Sequence, residues 1–140
     1  GYKHRIPLAH GSRMEPVMAF GQMFPVSFSG TGVGTWTYGA ASFKLAGPGT
    51  RFTVGASYGT KQIFGANVVS LFGGVEQPLF GDVSFIVDYF SGNHDLGALV
   101  PAIQWNATHA FIVIAGVKVP NSERAGPPAG LVELTYDLDF

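Results

Sequence analysis

The chain has 140 residues, enough for one hydrophobic core and too few for two. It carries 20 Gly, 12 Phe, 5 Tyr and 2 Trp beside only 8 Lys plus Arg and 9 Asp plus Glu, so charge makes up 12% where an average soluble domain has about a quarter. A net charge of −1 with no basic block leaves no electrostatic footprint for nucleic acid, and zero Cys excludes disulfides, thiolate zinc sites and cysteine nucleophiles.

A helical membrane protein would show about 20 consecutive apolar residues. The longest runs, such as Ala110 to Val117, stop well short of that. The start, GYKHRIPLAHGSR, lacks the apolar core of a signal peptide and does not begin with Met, which suggests a processed chain or a fragment. Residues 1–15, with Lys3, Arg5, Arg13, His4 and His10, predict a tail, mobile or held by a partner, ahead of a β-domain over 16–140.

From there, Gly and Pro punctuate segments rich in Phe, Val, Tyr and Thr, the pattern of an all-β antiparallel meander. Eight strands are predicted, at 17–28, 34–45, 51–58, 62–73, 82–90, 97–105, 109–119 and 130–140. The connections fall at 30–32, 46–49, 59–61, 75–81, 91–95, 106–108 and 120–130. Within strands, side chains two apart share a face. Phe52, Val54, Ala56 and Tyr58 oppose Arg51, Thr53, Gly55 and Ser57; Val83, Phe85, Val87 and Tyr89 oppose Ser84 and Asp88; Met18, Phe20, Phe24, Val26 and Phe28 oppose Ala19, Gly21 and Ser27. The second strand changes face between Tyr38 and Phe43, which predicts a β-bulge near Gly39 to Ser42.

A soluble sandwich or barrel covers its outer face with Lys, Glu, Asp and Arg. Here the face opposite the aromatics is mostly Gly, Ala, Ser and Thr. A transmembrane β-barrel has that arrangement, apolar toward lipid and small or polar inside. The predicted fold is therefore an antiparallel meander β-barrel of about eight strands, transmembrane, with outer-membrane lipid as a partner. Trp36, Tyr38, Tyr58, Tyr89, Trp105 and Tyr136, near strand ends, are candidate interfacial girdle residues.

The last strand, GLVELTYDLDF, resembles the terminal signature of bacterial outer-membrane β-barrels, which end in Phe with apolar or aromatic residues at alternate positions before it. Val132, Leu134, Tyr136, Leu138 and Phe140 match. The stretch DYFSGNHDLGALVPAIQWNATHAFIVIAGVKVPNS is similar to strand and hairpin stretches of uncharacterised, porin-like outer-membrane barrels. The resemblance implies location in a Gram-negative-type outer membrane and reading of the C-terminal signature by the barrel-assembly machinery. If the chain ends in the periplasm, the connections at 30–32, 59–61, 91–95 and 120–130 are external, and eight strands bring both termini to the periplasmic side.

Inward charges are expected at Arg51, Asp88, Lys118, Glu133, Asp137 and Asp139, with Lys44 unassigned. They set ion selectivity in a wide pore, and pair with one another in a narrow eight-strand barrel. Ser91, Asn93, His94 and Asp95 form an external turn candidate. Ser, His and an acid at a barrel rim are the residue types of an outer-membrane lipid hydrolase. Yet neighbours in one turn rarely attain nucleophile, base and orienter geometry, no G-x-S-x-G elbow is present, and these are ordinary turn residues. No spacing motif for a metal is present, and neither a cofactor nor catalytic residues are predicted. The expected function is a non-enzymatic outer-membrane barrel, a structural component or porin-like channel, with a homo-oligomer or an envelope protein as further partner. The alternatives are a soluble β-barrel holding a small apolar ligand and, behind it, the lipid hydrolase.

Overall fold

The computed structural model describes residues 1–9, 11–27, 32–61, 68–94, 96–123 and 126–136. Asp95, Asp137, Leu138, Asp139 and Phe140, and the predicted strand positions at 28 and 62–67, lie outside the described residues.

Period-two alternation and β-branched or aromatic content give eleven strands among the described residues: β1 (Tyr2–Pro7), β2 (Val17–Met23), β3 (Val26–Ser27), β4 (Gly32–Val33), β5 (Trp36–Lys44), β6 (Arg51–Gly59), β7 (Val69–Phe80), β8 (Val83–Phe90), β9 (Ala98–Asn106), β10 (Phe111–Pro120) and β11 (Ala129–Tyr136). Nine of them form one antiparallel sheet in the order β1-β2-β5-β6-β7-β8-β9-β10-β11, and β3 pairs with β4 as a separate hairpin. Except where that hairpin intervenes, each strand lies beside its neighbour in sequence, as a meander requires. No helix among the described residues is long and apolar enough to cross a membrane.

Four expectations are corrected. The predicted tail contributes a strand: Tyr2–Pro7 pairs antiparallel with Val17–Met23, so the sheet has nine strands rather than eight, and Gly1 lies at the opposite end of the sheet from Tyr136. The sheet is also open, since no ladder joins β1 to β11 among the described residues. No bulge interrupts β5, which holds continuous register with β6 from Trp36↔Gly59 to Lys44↔Arg51. Trp36 and Tyr38 simply point to the other face from Phe43. The bulge lies instead in β7, between Pro78 and Phe80, inside a segment expected to be a turn. Proline cannot donate to a ladder and is tolerated at such irregularities. The actual turn is Gly81–Asp82, with Gly81 at φ 51°.

The sheet curls, which gives its two faces different character. Val54, Leu71, Val132, Leu134 and Tyr136 on the convex face keep 63% or more of their surface exposed, with Val54 at 64% and Val132 at 71%. The concave face buries Ser57, Ser70, Ser84, Ala98 and Ala102. Apolar side chains outside and small polar ones inside reverse the usual arrangement of a soluble domain. Tyr58, Tyr89, Trp105 and Tyr136 stand on the convex side near strand ends, where a girdle was expected, whereas Trp36 and Tyr38 do not.

The connections differ at the two ends of the sheet. At the end where β5 begins they run over 24–35, 60–68, 91–97 and 121–128; at the other they run over 8–16, 45–50, 81–82 and 107–110. Apart from 8–16, the second set is short.

Candidate functional site

The concave face surrounds a cavity of about 600 Å³ to which eight of the nine strands contribute. Arg51 enters from β6, Glu76 from β7 and Glu133 from β11, while β1 brings Lys3 and Arg5 from the opposite edge of the sheet. Both free edges therefore border one space. Asp88 on β8 lies over Gly74 and within electrostatic reach of Glu133 and Glu76. Around the wall the cations Lys3, Arg5, Lys44 and Arg51 belong to β1, β5 and β6 and the acids Glu76, Asp88 and Glu133 to β7, β8 and β11, with one further cation, Lys118, on the same face of β10 between the acidic strands.

Of the expected inward charges Asp137 and Asp139 lie outside the described residues, and Arg51 makes no ion pair with Asp88 or Glu133 among the described residues. Both ion pairs found there go to Glu15, in the connection between β1 and β2: Lys44 Nζ to Glu15 Oε1 at 3.5 Å and Arg51 Nη2 to Glu15 Oε2 at 3.3 Å. Glu15 sits at φ 42°, a left-handed conformation unfavourable for a residue with a side chain. The Met14 carbonyl accepts the Lys44 N–H at 2.7 Å, and Glu15 N–H donates to the Ser12 carbonyl at 3.1 Å. The connection is thereby folded back across this end of the sheet, and Glu15 is its clasp. Glu76 accepts from Ser84 Oγ at 3.4 Å, and Glu133 from Thr135 Oγ1 at 3.2 Å. Lys3 and Arg5 make no ion pair among the described residues, although Glu133 lines the same cavity.

Above this polar space stands a closed ring of four aromatics. Trp36 meets Tyr38 at 5.3 Å between centroids, Tyr38 meets Phe72 at 6.4 Å, Phe72 stacks on Phe90 at 5.5 Å, and Phe90 returns to Trp36 at 6.1 Å. The ring spans β5 to β8 because β6 and β7 offer only Gly55, Ser57 and Ser70 beneath it. A Cβ at Gly55 would collide with Phe72, and one at Gly21 would come within 2.6 Å of the Tyr38 hydroxyl. Sequence reasoning missed this cluster. The available signal was the set of small residues on the neighbouring strands, which becomes informative only with the register.

The described residues of the turn candidate make hydrogen bonds with backbone groups, both within the turn and on β7. Ser91 Oγ accepts the Leu71 N–H at 2.8 Å, and the Ser91 carbonyl accepts from Ser70 Oγ at 2.7 Å. His94 is buried, with Nδ1 accepting the Leu96 N–H at 3.2 Å and its ring packed against Gly92, which takes φ 103°. Asn93 is exposed beside them. His109 lies at the far end, with Asp82, Asn106 and Thr108 around a cavity of about 480 Å³. No three potential metal ligands converge among the described residues. No protein-family model, curated protein or solved structure matches the chain.

Proposed function

We propose that this chain forms a transmembrane β-barrel of a bacterial outer membrane and acts as a porin-like aqueous channel. The observation that carries the reading is the reversal of polarity between the faces: an apolar, exposed convex surface over a concave surface where Lys3, Arg5, Arg51, Glu76 and Glu133 border a cavity with no ion pair across it among the described residues. The resemblance of the terminal strand to the outer-membrane signature supports the same conclusion.

Dimensions agree. A nine-residue strand such as β6, at about 3.4 Å per residue, is roughly 30 Å long and, tilted by about 40°, covers roughly 23 Å of an apolar band about 25 Å tall. The longer connections gather at one end and mostly shorter ones at the other, as external loops and periplasmic turns do in such barrels. Unpaired backbone groups cost several kcal/mol each in hydrocarbon, so in the membrane both free edges, β1 and β11, are paired and the cylinder is complete.

The deciding experiment combines extraction, gel migration and solute flux. Detergent-dependent solubility, faster migration of the unheated protein and flux of small hydrophilic solutes through reconstituted liposomes are expected. The migration of the unheated form measures whether one chain or several complete the cylinder. A monomer soluble in plain buffer overturns the membrane reading; a heat-modifiable barrel without flux overturns the channel.

A further inference from the structure

A second cavity, of about 170 Å³, opens where β5, β9 and β11 begin and β8 ends. Trp36, Phe90, Leu96, Ala98, Val100 and Leu131 form its wall, and Lys118 borders it. It lies on the other side of the aromatic ring from the charged cavity, with Trp36 and Phe90 belonging to both the ring and the pocket.

Three properties define what fits. The size matches one aromatic ring with a small substituent, because an apolar cavity of about 150 Å³ admits benzene and otherwise stays dry. The wall is almost wholly hydrocarbon, with the Lys118 side chain at its border. The third is the Trp36 indole nitrogen, which is buried without a hydrogen-bond partner among the described residues. Buried donors are nearly always paired, and an orphan one is costly. The indole is meanwhile held between Tyr38 and Phe90, at 5.3 and 6.1 Å. Its donor is thus fixed before any ligand arrives, which limits the ordering cost of binding.

We propose that this cavity binds a single-ring aromatic molecule bearing one hydrogen-bond acceptor, its ring against Phe90, Val100 and Leu131 and its acceptor on the Trp36 N–H. The site is additional to the channel and does not depend on the convex face meeting lipid.

The test is a titration of [¹⁵N]tryptophan-labelled protein in detergent micelles, followed through the indole N–H resonances. The chain has two Trp, and Trp105→Phe assigns them. Acetophenone, with a carbonyl acceptor, is compared with ethylbenzene, its near-isostere without one. The expected result is a saturable downfield shift of the Trp36 N–H proton with acetophenone, no saturable change at Trp105, and binding of ethylbenzene about tenfold weaker, as the loss of a bond to a buried donor implies. Val100→Phe and Leu131→Phe, each filling the cavity, remove the response while the β-sheet circular dichroism is retained. The wild-type titration decides by itself if either variant fails to fold. An unmoved Trp36 resonance, linear movement in step with Trp105, or equal affinity for the two probes overturns the proposal.

Discussion

Phe72 lies directly over Gly55, and only because that position has no side chain does its ring reach Tyr38, two strands away, at 6.4 Å and 75°. A β-carbon at Gly55 would meet the Phe72 ring and also the Gly39 carbonyl, so moving the ring alone does not make room. Gly55→Val is expected to lower stability by roughly 1–3 kcal/mol, the usual cost of overpacking. Gly39→Val is the control, because nothing lies within 4 Å of a β-carbon added there. Urea unfolding of both variants checks the difference; equal midpoints refute the crossing.

Adjacent residues of β11 test the two faces. Leu134 is 64% exposed on the convex side, while Thr135 lines the cavity. In a lipid-facing position Leu134→Arg costs roughly 2–4 kcal/mol near the midplane, and Thr135→Arg costs less because water solvates its charge. Folding yield into lipid vesicles measures both, and similar losses dismiss the assignment of faces.

The two tryptophans report the same distinction without charge. Trp105 stands on the convex face at 51% exposure, and Trp36 faces inward within the aromatic ring. In vesicles of brominated lipid, Trp105 fluorescence is expected to be quenched strongly and Trp36 weakly, read from the single-tryptophan variants Trp36→Phe and Trp105→Phe. Quenching of Trp36 alone is the contrary outcome.

Glu15 separates a charge effect from a backbone effect. Glu15→Gln removes both ion pairs but keeps the left-handed conformation; because the carboxylate is half exposed, the loss is expected to stay below about 1 kcal/mol. Glu15→Gly loses the same pairs but relieves a conformation that costs a residue with a β-carbon about 1 kcal/mol. Glu15→Gly should therefore unfold at the higher urea concentration of the two. The reverse order would mean that the clasp depends on the remaining side chain.

The charged wall predicts selectivity. Lys3 and Arg5 contribute positive charge to the cavity and make no ion pair among the described residues. Reversing both, with Lys3→Glu and Arg5→Glu, is expected to move the zero-current potential under a salt gradient toward cation preference. An unchanged potential would place the conducting path elsewhere.

Much of the sheet was legible because alternation is a property of each strand alone. Arg51–Gly59, Val83–Phe90 and Phe111–Pro120 fall close to where they were expected, and the inward placement of Arg51 and Glu133 followed from the same pattern. The first strand escaped because Lys3, His4 and Arg5 give YKHRIP a polar centre, although Lys3 and Arg5 alternate with Tyr2, His4 and Ile6 as a strand would have them. Trp36 and Tyr38 escaped for a different reason. Their direction depends on what lies under them, and Gly21 and Gly55 belong to other strands whose register no single segment contains. Pro78 misled because proline and glycine near each other usually mark a turn, whereas here a bulge absorbs the proline.

The meander also shapes how the molecule comes apart under force. In the open sheet, outside a membrane, β1 holds only β2 among the described strands and β2 next holds β5, so tension applied at Gly1 meets one ladder at a time. The load peels the outermost strand and passes inward without shearing the whole sheet. Pulled from that end, the chain is expected to yield a staircase of small extensions, each the length of a strand with its connection, rather than a single rupture.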